Sequence, residues 1–167
     1  LERVLELNRN YSKQIESTTN VSRNIVWKLR KMKWNNLFNY GEKNEINFEK
    51  LDGLVGIFGK NYSGKSSIID SALFGLYNTT SKGERKNVHI VNQNKQNAKC
   101  QLEIGVGDDT YKITRNLEKY QKKLRGRETT EVKTELDFTK YALGNIAESK
   151  NGTTRNETDE NIRGTFG

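Results

Sequence analysis

The sequence predicts an α/β fold built around a short strand, a glycine-rich loop and a helix. Residues 59–66 match the pattern G-x-x-x-x-G-K-[ST] at every fixed position. The apolar run 54–58 directly before this loop suits a buried parallel strand. The run 67–77 directly after it predicts a helix, because apolar residues recur there at helical spacing: Ile68, Ile69, Ala72, Leu73 and Leu76.

A loop in this setting is predicted to bind the phosphates of a nucleotide. Backbone N–H groups and the positive end of the following helix dipole form an anion site, and Gly59 and Gly64 allow close approach of the main chain. Lys65 is the predicted catalytic residue, since it can reach the β- and γ-phosphates, and the Ser66 hydroxyl can ligate Mg²⁺. The predicted ligands are ATP and Mg²⁺. The predicted nucleotide-binding residues are Gly59, Lys60, Asn61, Tyr62, Ser63, Gly64, Lys65, Ser66 and Ser67.

Composition limits the class of protein. The chain has 167 residues, enough to bury a core, and its net charge of +8 favours an anionic partner beyond the nucleotide. The single cysteine, Cys100, excludes an internal disulfide and is predicted to be a buried small apolar residue. One cysteine and one histidine cannot build a structural zinc site. Neither a membrane-spanning run nor a signal peptide is present, which predicts a soluble, cytoplasmic protein.

The rest of the chain predicts further strands. Residues 1–22 are predicted to be a helical extension or linker, and 23–167 one lobe of a larger unit. Alternating apolar residues predict strands at 25–34, with a bulge near Lys31, and at 45–48. A hairpin is predicted at 99–116 and a further strand at 131–141, the hairpin strands forming a second antiparallel layer.

The remaining segments are predicted to be loops, apart from one short helix. Residues 78–87 are rich in Gly, Ser, Thr and Lys and predict a mobile loop, and the polar segment 147–156 predicts disorder. The run 119–127 is basic and lacks an apolar face, and a solvated loop between strands is one of its two interpretations. Thr158 is the predicted N-cap of a helix at 158–164.

Four stretches resemble the ABC-type ATPase heads of the SMC, Rad50 and SbcC proteins, here called AAA_23-like heads. They are the first strand and turn, ending in Trp34-Asn35-Asn36-Leu37-Phe38-Asn39-Tyr40-Gly41, the loop-helix core 61–72, the hairpin with Tyr111-Lys112-Ile113-Thr114-Arg115, and the tail 161–167. The resemblance implies a phosphate-loop NTPase fold, lobe I of such a head, with mixed or antiparallel β layers. A phage or viral source is expected, so the cytoplasm would be that of an infected cell, or the protein would lie on a nucleoid.

The resemblance also implies function and partners. Such heads use ATP to act on DNA in double-strand break repair and recombination, together with a Mre11/SbcD-like nuclease. Two heads dimerise around ATP, and each head is completed by its own C-terminal lobe beyond a coiled coil. The glutamine loop, signature motif and Walker B acidic pair do not occur in this sequence. We therefore expect the chain alone to bind ATP weakly and to hydrolyse it poorly.

Two residues depart from the family pattern. Tyr62 stands where the family usually has glycine, which predicts a less strained backbone at that position. Phe38 stands near a position that is commonly arginine in these heads, which puts a nucleotide contact there in doubt. The single histidine, His89, lies outside the context of the switch histidine and is predicted to be a surface or strand residue.

The basic run has two interpretations. In a DNA-processing head it contacts the phosphate backbone of double-stranded DNA without sequence preference. Otherwise it is a solvated loop between strands, and the sequence favours neither. The candidate DNA-binding residues are Lys119, Lys122, Lys123, Arg125 and Arg127.

Two other functions stay open. The chain could belong to the nucleotide-binding component of an ABC transporter, although the basic run and the Tyr-x-Ile-x-Arg hairpin argue against it. It could also belong to a RecF-like clamp or adaptor on DNA, in which ATP binding regulates assembly.

Overall fold

The computed structural model describes residues 26–83, 87–124, 127–142 and 146–167. The predicted extension 1–22 lies outside the described residues. Two 3₁₀ helices lie at Phe48–Lys50 and Asn87–His89. The other elements are β1 (Trp27–Asn35), β2 (Asn44–Asn47), α1 (Lys65–Tyr77), β3 (Asn97–Val106), β4 (Asp109–Leu124), β5 (Arg127–Ala142), β6 (Ile146–Ser149) and α2 (Arg155–Phe166).

The six strands form one antiparallel sheet in the order β2-β1-β3-β4-β5-β6. The predicted first strands and the hairpin are confirmed, and the register of β1 against β3 shifts between Leu29 and Lys31, where a bulge was predicted. The predicted second layer is wrong. Because β3 pairs directly with β1, opposing Cys100 to Trp34, the hairpin continues the first sheet instead of stacking on it.

The core lies between one face of this sheet and the two helices. Successive strand residues point to opposite faces, so Met32, Leu102, Ile113 and Phe138 stand side by side on the covered face, and all four are buried. Helix α1 packs on β3 and β4, and α2 packs on β5 and on α1. Among the described residues, no helix has both the length and the apolar character needed to cross a bilayer.

The predicted strand at 54–58 is not formed. These residues have no ladder partner in the described part of the chain, and Leu54 and Phe58 are almost fully exposed. An apolar run adopts strand structure only when a neighbouring strand satisfies its backbone groups and covers its side chains. The edges of the sheet are β2 and β6, and neither pairs with this segment.

The basic run 119–127, for which a solvated loop was one of two interpretations, is largely strand where it is described. Residues up to Leu124 continue β4, and Arg127 begins β5. Beyond the pair Asn97–Glu118 the two strands leave β3 and continue as a two-stranded ribbon, 119–124 with 127–132. Cross-strand polar contacts replace an apolar face here, because Glu131 accepts hydrogen bonds from Tyr120 and Lys122.

The segment that was predicted to be disordered is ordered where it is described. It contains most of β6 and the start of α2, which begins four residues earlier than the predicted N-cap implies. Thr154 is the N-cap, since its hydroxyl accepts a hydrogen bond from the Glu157 N–H at 3.2 Å. Thr158 is buried within the helix, and its hydroxyl donates to the Thr154 carbonyl at 3.0 Å.

Candidate nucleotide site

The glycine-rich loop leads directly into α1. Gly64 is the N-cap residue, with φ at +90°, and the Ser67 N–H donates to its carbonyl at 3.0 Å. Only glycine takes this left-handed conformation without strain, and a Cβ at Gly64 would lie 2.6 Å from Nδ2 of Asn39. The requirement for glycine at this position is therefore both conformational and steric.

Lys65 lies across the loop that precedes it. Its ammonium group donates to the carbonyl of Gly59 at 2.8 Å and to that of Lys60 at 2.6 Å. A polyphosphate would offer this cation charged acceptors in place of neutral ones, and charge-assisted hydrogen bonds are about twice as strong as neutral ones. The side chain is thus placed to exchange loop carbonyls for phosphate oxygens.

Ser66 and Ser67 stand in the first turn of α1 and line the same cleft. The first N–H groups of a helix lack intrahelical partners and bind anions. Mg²⁺ usually takes one or two protein oxygens together with phosphate oxygens and water, so the Ser66 hydroxyl fits the role of one such ligand. Among the described residues, no cluster of three acidic, histidine or cysteine side chains could hold a metal without the phosphates.

The loop forms one wall of an open cleft of about 1000 Å³, large enough for a nucleoside triphosphate. The other walls come from α1 and from three further segments that are separate in sequence. These lining residues are Phe38, Asn39, Asp70, Ser81, Lys82, His89, Val91, Asn92, Gln93 and Asn94. The sequence did not indicate most of them, because all except Asp70 reach the cleft through a turn or a short connection instead of a motif.

Asp70 and Lys82 illustrate contacts that sequence reasoning missed. Asp70 is buried on α1, and its Oδ1 accepts a hydrogen bond from the Ser81 N–H at 2.7 Å. This bond folds the connection after α1 back toward the cleft, so the exposed Lys82 lies at its rim. The chain therefore supplies a second cation near the loop.

The turn at the end of β1 is the other missed part of the site. The Tyr40 hydroxyl donates to the Gly64 carbonyl at 3.0 Å, and the Asn92 side chain donates to the Tyr40 carbonyl at 3.1 Å. Desolvation raises the pKa of Tyr40, so its hydroxyl stays a proton donor. The sequence showed this turn only as part of a family likeness, with no sign that it touches the loop.

The two residues that depart from the family pattern, Tyr62 and Phe38, both have a left-handed backbone conformation. Tyr62 has φ at +62° and a fully exposed ring, so the prediction of a less strained backbone there is wrong. Phe38 has φ at +53° and lines the cleft, with its N–H donating to the Ile90 carbonyl at 2.7 Å. His89 ends a 3₁₀ helix, is exposed and also lines the cleft, so it is a surface residue as predicted and not in a strand.

The candidate DNA-binding residues lie on or beside the ribbon. Lys119 donates to the Asn92 carbonyl at 2.8 Å, and Lys122 forms an ion pair with Glu131 at 3.0 Å. The hydrogen bond that Lys122 donates to Glu131 raises the pKa of Lys122. Lys123 is exposed opposite Glu128, Arg127 opens β5 and Arg125 lies outside the described residues. Their role in binding DNA stays a prediction.

Comparison with known proteins identifies a family. The AAA domain model AAA_23 matches residues 31–166, which is most of the chain. An uncharacterized protein of Acanthamoeba polyphaga mimivirus is 30% identical over 164 residues, covering 93% of this chain and 11% of that protein. This viral relative supports the expected viral source.

Other relatives carry descriptive names. A DNA double-strand break repair Rad50 ATPase of Sulfolobus acidocaldarius is 38% identical over 69 residues, covering 41% of this chain and 8% of that protein. The SbcC component of the nuclease SbcCD of Clostridium acetobutylicum is 38% identical over 72 residues, covering 42% of this chain and 6% of that protein. The chain is thus Rad50- and SbcC-like, and it spans about a tenth or less of the length of the curated relatives it matches.

A solved structure is also similar. The recombination mediator protein RecF with ATP superimposes with a TM-score of 0.46 at 17% identity, covering 64% of this chain and 27% of that one. The fold class predicted from the sequence, an α/β phosphate-loop ATPase lobe, is confirmed by the family match.

Proposed function

The chain belongs to the AAA domain family AAA_23, and from this premise we propose that it is the ATP-binding N-terminal lobe of a Rad50/SbcC-like ATPase. Residues 23–167 form the lobe, and residues 1–22 a helical extension or linker. The full protein acts on DNA in double-strand break repair or recombination. ATP and Mg²⁺ are the ligands of the loop 59–67.

One observation carries the proposal: the arrangement of Gly64, Lys65 and the N-terminus of α1 around a single cleft. Gly64 turns the main chain into the helix with φ at +90°, and the helix then presents its unpaired N–H groups. Lys65 holds its ammonium against two neutral carbonyls of the same loop. Backbone donors, a helix dipole and a cation on a long side chain together make a polyphosphate site.

Hydrolysis needs groups that the described residues do not supply. Phosphoryl transfer to water requires an oriented water molecule and a complete metal shell. Asp70 is the one carboxylate among the described residues that line the cleft, and its Oδ1 already accepts from Ser81. We therefore assign hydrolysis to the assembled protein, with the C-terminal lobe providing the acidic residues, and expect the isolated lobe to bind ATP without efficient turnover.

The exposed apolar segment 54–58 is where we place the C-terminal lobe. Leu54 and Phe58 are almost fully exposed, and Val55 and Ile57 are about half exposed. Large exposed apolar patches mark interaction sites, and this backbone also lacks ladder partners within the described residues. A strand from the second lobe would cover the apolar side chains and pair with the backbone of this segment. A second copy of the head would face the loop across the bound ATP.

DNA and a nuclease complete the proposal. The net charge of +8 favours a polyanion, and the ribbon carries lysines on both of its faces. A Mre11/SbcD-like nuclease is the partner that the relationship to SbcC suggests. The site of action is the cytoplasm, on a nucleoid or in an infected cell.

Calorimetry on the full-length protein tests the proposal. Wild-type protein should bind ATP in the presence of Mg²⁺, and Lys65→Ala should bind at least about tenfold more weakly, because a charge-assisted hydrogen bond is lost. Lys99→Ala is the matched control, since Lys99 is exposed on β3 and does not line the cleft. Absence of magnesium-dependent ATP binding by the wild type would refute the proposed function.

A further inference from the structure

The phosphate loop has few attachments to the rest of the fold. Its internal contacts are the Ser63 N–H to the Lys60 carbonyl at 3.2 Å and the bonds made by Lys65. Among the described residues, the bond from Tyr40 to Gly64 is the one hydrogen bond that joins residues 59–64 to a residue outside the loop and α1. The preceding segment 54–58 adds no ladder bond there.

Tyr40 is itself held firmly. Its N–H donates to the Leu37 carbonyl at 2.9 Å, and its carbonyl accepts from the Asn92 side chain. Its ring meets the buried Trp34 ring edge-on, with 5.2 Å between the centroids. The Asn36 N–H closes the turn by donating to the Gly41 carbonyl at 2.8 Å. The hydroxyl is therefore presented to the loop from a fixed position at the end of β1.

The accepting carbonyl has a special place in the loop. The carbonyl of Gly64 and the N–H of Lys65 belong to one planar trans peptide, in which the two groups point in opposite directions. A bond that anchors the carbonyl oxygen on the side of the sheet therefore also fixes the direction of the Lys65 N–H. That N–H is one of the unpaired donors at the start of α1.

We propose that Tyr40 is a positioning residue for nucleotide binding, which acts by holding the Gly64–Lys65 peptide in the orientation that receives a phosphate. The inference rests on the proposed function of the loop. Tyr40 does not line the cleft, so it acts through Gly64 and not by touching the nucleotide. Its neighbour Asn39 confines the same glycine sterically, because a Cβ there would meet the Asn39 amide.

The test is Tyr40→Phe in the full-length protein, which removes one oxygen and keeps the ring on Trp34. ATP affinity should fall about three- to tenfold, the usual effect of one neutral hydrogen bond. Inorganic triphosphate should lose affinity by the same factor, since the effect lies at the phosphate end. The maximal hydrolysis rate at saturating ATP should change little.

Tyr141→Phe is the matched control, because Tyr141 is a half-buried tyrosine on β5 that does not line the cleft. The ligand-free unfolding temperature of Tyr40→Phe should differ from wild type by no more than that of this control. A larger drop in unfolding temperature would make the role structural and overturn the inference. Wild-type affinity in Tyr40→Phe would overturn it as well, while the proposed function would stand. A wild type that binds no ATP would instead remove the proposed function.

Discussion

Tyr62 holds a conformation that residues with a side chain rarely adopt. Its φ of +62° costs roughly 1 kcal/mol relative to glycine, and its fully exposed ring gains no packing energy within the described residues to offset this cost. Strain of this kind concentrates at functional sites. The tyrosine therefore places a rigid aromatic group at the rim of the phosphate loop at a cost in stability.

Gly75 shows the opposite situation, in which the absence of a side chain permits close packing. A Cβ at Gly75 would lie 2.7 Å from Cδ1 of Leu102 and 2.9 Å from Sγ of Cys100, and both side chains are buried. Gly75→Ala should therefore destabilise the fold by about 1–3 kcal/mol through overpacking, despite the better helix propensity of alanine. Urea unfolding measures this difference.

Gly164→Ala provides the control for that experiment. Gly164 lies in α2, and a Cβ there would meet no atom within 4 Å. This substitution should stabilise the protein by up to about 1 kcal/mol, the helix-propensity gain alone. If Gly75→Ala raised stability as Gly164→Ala does, the close approach of α1 to the sheet would be incorrect.

At the scale of elements, α1 is matched in charge at its C-terminal end. Its N-terminus faces the cleft, and its last turn receives two arginines. Arg115 donates to the carbonyls of Gly75 at 2.9 Å and Leu76 at 3.0 Å, and Arg163 donates to that of Tyr77 at 2.9 Å. Cations at a helix C-terminus interact favourably with the dipole. Burial lowers the pKa of Arg115, while its bond to Asp159 opposes this shift.

The role of the positive charge on the ribbon in DNA binding can be tested by substitution. Replacing Lys122 and Lys123 together by glutamate should weaken binding of double-stranded DNA and reduce the slope of log affinity against log salt by up to about two, since each phosphate contact contributes about 0.9. Fluorescence anisotropy over a salt series measures both quantities. The ion pair of Lys122 with Glu131 makes Lys123 the stronger candidate of the two.

The control is a second double variant with the same change in net charge, placed away from the ribbon. Lys99 and Lys112 lie on the uncovered face of the sheet, away from the ribbon, and can be replaced by glutamate in the same way. If the two double variants lost the same affinity and the same salt slope, overall charge and not the ribbon would account for DNA binding.

Sequence periodicity predicted the elements whose apolar pattern is clear within their own residues. The first strand, the hairpin and α1 all show a clear alternation or helical spacing, and the loop motif identified the phosphate site. The segment 54–58 could not be predicted correctly, because whether an apolar run forms a strand depends on a neighbour. The ribbon was missed because Glu131 stabilises it through polar pairs that leave no apolar pattern.

The missed parts of the site have a similar cause. Tyr40 and Asp70 act through single hydrogen bonds to residues 24 and 11 positions away. No spacing rule predicts such contacts, because they depend on how the turn after β1 and the connection after α1 fold over the loop. The misplaced start of α2 is a local ambiguity, since Thr154 and Thr158 are both acceptable caps in sequence.

At the scale of the whole molecule, the described residues make a sheet and two helices, and one apolar segment is left exposed. The sheet and helices bury a continuous core, but the segment 54–58 leading into the loop stays exposed. The loop is therefore fixed on one side, by Tyr40 and α1, and open on the other. This asymmetry agrees with the proposal that a second lobe completes the site.

Hydrogen exchange measured by mass spectrometry on the full-length protein, with and without ATP and Mg²⁺, tests the central claim most directly. Nucleotide should slow exchange of the backbone amides at 60–67 in the wild type, because phosphate oxygens accept from them, and should slow it less in Lys65→Ala at an ATP concentration near the wild-type Kd. Unchanged exchange of these amides at saturating ATP and Mg²⁺ would contradict the account.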